Sequence, residues 1–265
     1  MPAAGREAAA PTLSVITPSF NSARFLGETV ESVADLRTPH EHIVVDGGSS
    51  DGTVRLLAES GAPGLSWVSE PDRGQTHAVN KGLERARGEL LAWLNADDAY
   101  VPEHVDAAVG SLLEDPTIDA VFGFMDIVDE EGRLMKRYRC LPFSWRRYLY
   151  YGDYLPTPTV IFQRSLLAQA PRLDERYADA ADIDFFLRLL RGAKVRRLRR
   201  PLVRFRYHPA SKTGSNVALQ QREGLEIRVG HAHNATERWL IRAVERAKRI
   251  RHSVMSHWPE LPQRG

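Results

Sequence analysis

Short apolar runs alternate with helix-like segments along the first part of the chain. The four runs are LSVITP (13–18), HIVVD (42–46), LSWVSE (65–70) and LLAWLN (90–95). In the segment after each run, apolar residues recur every three or four positions, as Leu26, Val30 and Val33 do after the first. That spacing is typical of one face of a helix. The alternation therefore predicts a mainly parallel sheet with helices on both faces.

Beyond about residue 115 the pattern changes. Residues 120–139 read as a strand followed by a hairpin that turns at Glu131 and Gly132. An aromatic, proline-bounded stretch at 141–158 predicts a loop. Residues 182–192 predict a helix, because their apolar residues fall on one helical face. Those inward residues are Ile183, Phe186, Leu187 and Leu190.

The last part of the chain is basic. Residues 195–208 read as a pair of strands split by Pro201, and the chain turns helical from about residue 215. The final helix is amphipathic, and its predicted apolar side holds Leu240, Ala243, Val244, Ala247 and Ile250. Docking of this helix on the body and attachment to anionic lipid both fit such a segment.

Net charge is +2 over 265 residues, but its distribution is uneven. Residues 191–265 carry 18 Lys and Arg against 5 Asp and Glu, whereas the other 190 residues carry 18 against 29. The asymmetry indicates an acidic, cation-binding body and a basic tail that faces something anionic, either nucleic acid or a membrane surface. With one cysteine, Cys140, and no secretory or membrane-spanning run, we expect a cytoplasmic protein.

Polar residues follow all four predicted parallel strands. They are Ser19 and Asn21; Asp46; Glu70, Asp72 and Arg73; and Asn95, Asp97 and Asp98. Any one cluster is ordinary turn chemistry, but four at one sheet edge indicate a ligand site. Neither a G-x-G-x-x-G nor a phosphate-loop motif is present. Adjacent carboxylates suit Mg²⁺ or Mn²⁺, which fill their remaining positions with water and substrate phosphates.

Five segments, taken in order, resemble the motifs of a known family. They are LSVITPSFN, VVDGGSSDGT, EPDRGQTHAVNKGLERARGE, AWLNADDAY and ADAADIDFFLRLL. Together they resemble the inverting, nucleotide-sugar-dependent glycosyltransferases of family 2, over about residues 12–210. The resemblance implies a GT-A fold, which is a Rossmann-like, mixed and mainly parallel sheet flanked by helices, here with a helical C-terminal extension.

The resemblance also implies a division of the chain. Residues 1–11 would be a flexible N-terminus and 12–212 the glycosyltransferase domain, with a nucleotide-sugar-binding half at 12–100 and an acceptor-binding half at 101–212. Residues 213–265 would be the basic helical extension. Aromatic residues of the 141–158 loop would either stack on sugar rings or pack against the tail. They are Trp145, Tyr148, Tyr150, Tyr151 and Tyr154.

By resemblance, the donor contacts the strand ends. Pro18, Ser19 and Asp46 would contact the nucleoside, with Asp46 facing the base or ribose. The residues expected to line the donor pocket are Asp72, Arg73 and Asn80. The family commonly has a second acid after Asp46, where this chain has Gly47, so the donor base stays open among uridine, thymidine and guanosine.

The metal motif is matched by Asp97 and Asp98. Asp98 is expected to be the better direct ligand, whereas Asp97 would hold ribose or sugar hydroxyls as well. A histidine near position 208 reaches the metal or diphosphate in several relatives, which makes His208 a further candidate. Lys212 would help to close over the phosphates.

Asp182 is the candidate general base. Displacement at an anomeric carbon with inversion needs a carboxylate opposite the departing diphosphate, to take the proton of the acceptor hydroxyl. The family often has Glu-Asp where this chain has Ala181 and Asp182. The structural alternative is that Asp182 caps the helix that follows it. Asp179 and Asp184 are the competing candidates.

The predicted activity is transfer of a sugar from a nucleoside diphosphate donor to a saccharide or lipid-linked acceptor, in the biosynthesis of cell-surface polysaccharide or glycolipid. Peripheral contact of the basic tail with the inner face of the cell membrane and a homo-oligomer are compatible with it. A nucleotidyltransferase acting on sugar phosphates and a non-catalytic nucleotide-sugar-binding protein stay open as alternatives. Nucleic-acid binding is not expected, because no recognition motif accompanies the basic tail.

Overall fold

The computed structural model describes residues 10–152, 155–208 and 217–256, with side chains described as far as Lys248. Most of the predicted flexible N-terminus falls outside these residues, as do Tyr154, Lys212 and the side chain of Ile250. Within them the chain forms a nine-stranded mixed sheet covered by helices on both faces. This confirms the predicted α/β class.

The strands of the described chain lie in the spatial order β3-β2-β1-β4-β8-β6-β9-β5, and β7 pairs with β6. Their bounds are β1 (Leu13–Ser19), β2 (His40–Asp46), β3 (Leu65–Ser69), β4 (Leu90–Trp93), β5 (Ala99–Tyr100), β6 (Ala120–Val128), β7 (Leu134–Tyr138), β8 (Ile161–Gln163) and β9 (Val195–Arg206).

Strands β1 to β4 are parallel neighbours, as the apolar runs predict. Every residue of β1 is buried, which explains why its sequence lacks the strict apolar–polar alternation of a half-exposed strand. The register pairs Ser19 with Asp46 and Asp46 with Ser69, so the ends of β1, β2 and β3 are level. The polar residues that follow these strands therefore emerge at one edge.

The other half of the sheet is mixed. β8 pairs antiparallel with β4 and β6, while β9 runs parallel to β6. The predicted pair of strands around Pro201 is wrong, because β9 is one continuous strand. Its register with β6 shifts between Phe122 and Phe124, and Pro201 falls at this irregularity, where a residue without an N–H is tolerated.

Eight α-helices occur in the described ranges. They are α1 (Leu26–Ala34), α2 (Thr53–Glu59), α3 (Gln75–Arg85), α4 (Pro102–Glu114), α5 (Trp145–Tyr151), α6 (Ala181–Leu189), α7 (Val217–Gly230) and α8 (Ala235–Ser256). The loop predicted at 141–158 is wrong over α5, which begins after Ser144, a residue whose hydroxyl accepts from the Arg147 N–H. Tyr148 is fully buried, so this aromatic residue packs in the core.

Helices α7 and α8 confirm the predicted helical extension. The side of α8 that faces the protein is not the predicted one, because Ile241 and Glu245 are buried whereas Trp239 and Leu240 are exposed. Glu245 forms a buried ion pair with Arg228 of α7 at 2.8 Å. A search for apolar residues alone could not find that docking side, since a paired charge is part of it.

The core lies on both faces of the sheet. Side chains from α3, α5, α6, α7 and α8 cover one face, and those from α1, α2 and α4 cover the other. None of the helices in the described ranges combines the length and the apolar composition needed to cross a bilayer. The domain boundaries at residues 100 and 212 stay a prediction.

Candidate active site

A cavity of about 750 Å³ opens beyond the carboxyl ends of β1, β2 and β4. This is the edge at which the sequence predicts a ligand. Its volume lies within the range of about 300–1,000 Å³ that is typical of small-molecule sites. The predicted site residues that line it are Pro18, Ser19, Asp72, Asp97 and His208.

Ser19 supplies a polar group without a partner. It is 5% exposed, it lies on the cavity wall, and its Oγ atom forms no hydrogen bond within the described chain. A buried hydroxyl without a partner is costly, so such an atom indicates a place for a ligand or water. The expectation that Ser19 faces the donor agrees with this geometry.

Asp46 does not face the cavity, contrary to expectation. The residue is fully buried, and its Oδ2 atom accepts from the N–H groups of Gly48 (3.1 Å) and Ser49 (2.9 Å) and from the Ser69 hydroxyl (2.6 Å). Its Oδ1 atom accepts from the Ser49 hydroxyl. Asp46 therefore builds the turn after β2, and its carboxylate is occupied by that turn.

Asp72 takes the space beside that turn. A Cβ atom added at Gly47 would lie 2.8 Å from Oδ2 and 3.0 Å from Cγ of Asp72. Both residues line the cavity, and Oδ1 of Asp72 accepts from the Gly74 N–H at 2.7 Å. The absence of a side chain at position 47 thus makes room for the Asp72 carboxylate. Asp72, which follows β3, thus places a carboxylate beside position 47.

Arg73 and Asn80 are engaged elsewhere. Asn80 is buried; its side-chain amide donates to the Leu173 carbonyl (3.1 Å) and accepts from the Leu173 N–H (2.8 Å). Arg73 pairs with Glu175 at 2.6 Å on the surface. Neither lines the cavity within the described residues. Their geometry fits a clamp that holds the 173–175 segment against α3, and the donor contacts expected of them stay a prediction.

The two adjacent acids have different surroundings. Asp97 lines the cavity, whereas Asp98 is 1% exposed and accepts from the Arg206 N–H (3.0 Å) and the Asn95 side-chain amide (3.0 Å). Burial raises the pKa of Asp98 well above its ordinary value, and the Asp97 charge adds to the rise. Asp97 therefore faces the cavity, whereas the carboxylate of Asp98, expected to be the better direct metal ligand, is buried; which of the two binds a metal stays a prediction.

His208 lies against Asp97. Its Nε2 atom is 3.1 Å from Oδ2 of Asp97, and its ring is 5.1 Å from the ring of Phe25. The two side chains are within hydrogen-bonding distance of each other, and about 3 Å is also the separation of two neighbouring ligands in an octahedral shell with bonds of about 2.1 Å. A carboxylate oxygen and an imidazole nitrogen on the cavity wall thus fit a divalent cation such as Mn²⁺ or Mg²⁺.

The protein would contribute few ligands to such an ion. No group of three or more His, Cys, Asp or Glu side chains suited to a metal occurs in the ranges that the structure describes. With Asp97 and His208 as protein ligands, the other positions would belong to water and to phosphate oxygens. Mg²⁺ is typically held in this way, by one or two carboxylates together with the substrate.

Arg206 supports the acidic pair, and the sequence did not single it out. It is 3% exposed, pairs with Glu28 of α1, and donates through Nε to the Asp97 carbonyl at 3.3 Å. Its guanidinium lies 4.8 Å from the centre of the Phe25 ring. Arg206 thus ties the end of β9 to α1 and to the acidic turn, and so fixes the position from which His208 extends.

Asp182 lies near the start of α6, and it does not line this cavity within the described residues. Its Oδ2 atom accepts from the Thr157 hydroxyl at 2.6 Å, and Oδ1 accepts from the Ile183 N–H at 2.9 Å. The residue at the N-cap position is Ala180. Asp182 is therefore not the N-cap residue of α6, although its carboxylate accepts one N–H group of the first turn.

Asp184, the competing base candidate on the same helix, is committed to structure. Its carboxylate pairs with Arg188 (2.6 Å) and His231 (2.9 Å). Burial acts to raise its pKa, but the hydrogen bonds from His231 and Arg188 outweigh burial and leave the pKa below its ordinary value. A low pKa and two basic partners make Asp184 a poor proton acceptor.

The cavity lining includes further residues that the sequence analysis did not name, among them four with large side chains: Phe20, Arg24, Phe25 and Gln75. Phe20 is largely exposed at the cavity, and Gln75 donates to the Asn95 side chain at 3.0 Å. The available signal was position alone, because all four follow the ends of predicted parallel strands. Arg24 and Phe25 stack on each other at 4.7 Å, a contact that no sequence pattern indicates.

The chain belongs to glycosyltransferase family 2. The profile of that family, described as Glycosyl transferase family 2, matches residues 14–171. An uncharacterized glycosyltransferase of Mycobacterium tuberculosis is 39% identical over 184 residues, which cover 68% of this chain and 69% of that protein. Chondroitin synthase of Escherichia coli is 26% identical over 68% of this chain, but the match covers only 26% of that larger protein.

Solved structures share the fold. TarS of S. aureus (residues 1–349), in complex with UDP-GlcNAc, matches with a TM-score of 0.67 and 20% identity over 87% of this chain and 70% of that chain. The mannosyltransferase PcManGT of Pyrobaculum calidifontis, in complex with GDP-Man and Mn²⁺, matches with a TM-score of 0.61 and 19% identity over 98% and 81%. The predicted glycosyltransferase fold, a mixed sheet flanked by helices, is thereby confirmed.

Proposed function

We propose that the protein is a metal-dependent, inverting glycosyltransferase. It moves one sugar from a nucleoside diphosphate donor to a saccharide or lipid-linked acceptor. The observation that carries the proposal is the cavity wall, on which the Asp97 carboxylate and the His208 imidazole lie 3.1 Å apart. Two metal ligands beside an open cavity suit a ligand that brings its own phosphate oxygens.

In this proposal the nucleoside contacts Ser19 and Asp72, which line the same cavity. Ser19 offers an unpartnered hydroxyl and Asp72 a carboxylate beside Gly47, which suits the N–H groups of a base or the hydroxyls of a ribose. Phe20, exposed at the same wall, offers a ring face. UDP-GlcNAc and GDP-Man, the donors named for the two structural neighbours, are the first candidates to test.

Asp182 is the proton acceptor in this proposal. The acceptor hydroxyl oxygen bonds to the anomeric carbon as the bond to the diphosphate breaks, and the hydroxyl proton passes to the Asp182 carboxylate. Hydrogen bonds from Thr157 and from the Ile183 N–H hold that carboxylate in one orientation. A divalent ion on Asp97 and His208 would supply positive charge to the diphosphate that leaves.

We assign the acceptor to cell-surface polysaccharide or glycolipid biosynthesis, and the relative named chondroitin synthase supports a saccharide acceptor. The exposed side of α8 supports binding of the protein to an anionic membrane surface. Trp239 is 65% exposed on this helix, among the exposed residues Arg238, Arg242 and Arg246. An aromatic residue between arginines suits the interface of an anionic bilayer.

A thermal-shift series tests donor and metal binding. UDP, GDP and TDP are each added with and without Mn²⁺, and one of them should raise the midpoint of unfolding, more strongly with the ion. Asp97→Asn should remove the part of the increase that depends on Mn²⁺. A wild-type chain that none of the three diphosphates stabilises under any of these conditions would refute the proposal.

The stereochemical course tests the mechanism. UDP-GlcNAc or GDP-Man, both α-linked donors, would be hydrolysed slowly with water as acceptor, and NMR spectra taken early should show the β anomer as the first product. Asp182→Asn should bind donor normally but lose this turnover. Early release of the α anomer would exclude inversion, and full turnover by Asp182→Asn would exclude Asp182 as the base.

Vesicle sedimentation tests the membrane surface. The full chain should sediment with phosphatidylglycerol vesicles but not with phosphatidylcholine vesicles, and Trp239→Ala combined with Arg242→Gln should reduce the bound fraction. Arg133→Gln, which removes an exposed charge at the turn between β6 and β7, is the matched control. Equal binding to both kinds of vesicle would contradict the proposed surface.

A further inference from the structure

Glu223 of α7 binds a turn of the main domain with its carboxylate. The residue is 7% exposed. Oε1 accepts from the Ala178 N–H at 3.2 Å, while Oε2 accepts from the N–H groups of Asp179 (2.9 Å) and Ala180 (3.1 Å). A buried carboxylate is costly unless it is hydrogen-bonded, and three consecutive N–H groups meet that need. The turn ends two residues before Asp182.

The neighbour of Glu223 makes a second contact, on the other side of Asp182. A Cβ atom added at Gly224 would lie 3.2 Å from Cδ1 of Ile183. The lack of a side chain at position 224 therefore allows α7 to approach the first turn of α6 closely. Two consecutive residues of the C-terminal extension thus touch the chain just before and just after Asp182.

The N-cap residue of α6 cannot cap the helix with its own side chain. This residue, Ala180, has no side chain that could accept a hydrogen bond, and the first N–H groups of a helix lack partners within the helix. Glu223 supplies an acceptor from another helix, because its Oε2 atom binds the Ala180 N–H. Its negative charge also lies at the end of α6 that carries the partial positive charge of the helix dipole.

We propose that Glu223 is a positioning residue that fixes Asp182 for proton transfer, so that the C-terminal extension completes the active site. This inference rests on the proposed function of Asp182 as the base. Without Glu223, the 178–180 turn loses its shared acceptor, and the first turn of α6 can move with it. A displacement of about 1 Å at a reacting group can cost on the order of a hundredfold in rate.

The test uses Glu223→Gln, which keeps the shape but removes the charge, with Glu226→Gln as the matched control. Glu226 lies one turn further along α7 and is exposed. The assay is Mn²⁺-dependent release of diphosphate from UDP-GlcNAc or GDP-Man, whichever the wild-type chain turns over. Glu223→Gln should lower kcat by about tenfold or more and leave the KM for donor within about twofold. Amide hydrogen exchange at 178–180 should become faster, and Glu226→Gln should change neither.

A double variant separates positioning from a general loss of structure. If Glu223 acts through Asp182, then Glu223→Gln combined with Asp182→Asn should be no slower than Asp182→Asn alone. Additive losses, an unchanged kcat in Glu223→Gln, or an equal effect of Glu226→Gln would each overturn the inference. Full turnover by the Asp182→Asn single variant would refute Asp182 as the base. This measurement involves no change at Glu223, so it distinguishes failure of the proposed function from failure of the positioning role.

Discussion

The Nε2 atom of His208 lies 3.1 Å from Oδ2 of Asp97, although 111 residues separate them in the chain. Strand pairing explains the contact. β9 runs antiparallel to β5 with Arg204 opposite Ala99, so the chain two residues beyond Arg204 comes level with Asp97. Arg206 is anchored there by its N–H, which donates to Asp98 at 3.0 Å. The Asp97–His208 pair is therefore assembled from the loop between β4 and β5 and the segment that follows β9.

The cavity-lining His208 and the buried Asp98 predict different outcomes when each is replaced by alanine. His208→Ala should abolish the Mn²⁺-dependent stabilisation by UDP or GDP and change the free energy of unfolding by less than about 1 kcal/mol. Asp98→Ala should lower the free energy of unfolding by about 2–4 kcal/mol, because two buried donors lose their acceptor. Urea unfolding and thermal shift measure both quantities. A stable Asp98→Ala chain without a metal response would restore Asp98 as the direct ligand.

The contact between Gly47 and Asp72 predicts that only one of these two positions can carry a carboxylate side chain. Gly47→Asp places a side chain where Asp72 lies 2.8 Å from the new Cβ atom, so donor-dependent stabilisation should be lost. Gly47→Asp combined with Asp72→Gly should recover part of it, since one carboxylate again occupies the site. Gly61→Asp is the control, because a Cβ atom there meets nothing within 4 Å. If Gly47→Asp alone bound UDP or GDP as the wild type does, this prediction would be disproved.

Asn80 is predicted to stabilise the fold without touching the donor. Asn80→Ala should lower the free energy of unfolding by about 2–3 kcal/mol, because the buried N–H and carbonyl of Leu173 lose their partners. Its donor-induced shift in unfolding midpoint should stay as in the wild type. Arg73→Ala, which removes an exposed ion pair with Glu175, should cost less than about 1 kcal/mol. If Asn80→Ala kept the wild-type free energy of unfolding but lost the donor-induced shift in unfolding midpoint, Asn80 would contact the donor as the sequence predicts.

Glu41 predicts a pH dependence of stability. Burial acts to raise its pKa, but hydrogen bonds from Ser14 and Arg87 outweigh burial and leave the pKa below its ordinary value of 4.5. A group whose pKa is lowered by folding stabilises the folded state above the unfolded-state pKa, and this contribution is lost as pH falls through the folded-state pKa. Glu41→Gln should therefore be less stable than wild type by about 1–2 kcal/mol at pH 7.

The difference in free energy of unfolding between the wild type and Glu41→Gln should become smaller as pH falls below about 4.5. The wild-type carboxylate then takes up a proton and resembles the amide. Urea unfolding of both proteins at pH 7, 5, 4 and 3 measures this difference. Glu59→Gln, an exposed change of the same kind, is the control. A stability difference of constant size across this pH range would show that the charge of Glu41 does not contribute to the free energy of unfolding.

Much of the fold could be predicted because the signals are local. The apolar spacing of LSVITP and LLAWLN and the helix periodicity after each run depend on neighbours within a few residues. Predictions failed where a distant contact decides the structure. Pro201 lies inside one strand because β6 allows an irregularity there, and α8 turns Glu245 inward because Arg228 pairs with it.

The sequence by itself determined the order of the first four parallel strands and their helices, the edge at which polar residues gather, and the family. Tertiary structure decided which of these residues face the cavity. Asp97 has access and Asp98 does not, and Asn80 is bound to Leu173 while Asp72 takes the room left by Gly47. Periodicity is set by neighbours along the chain, whereas access and hydrogen-bond partners are set by residues that only folding brings together.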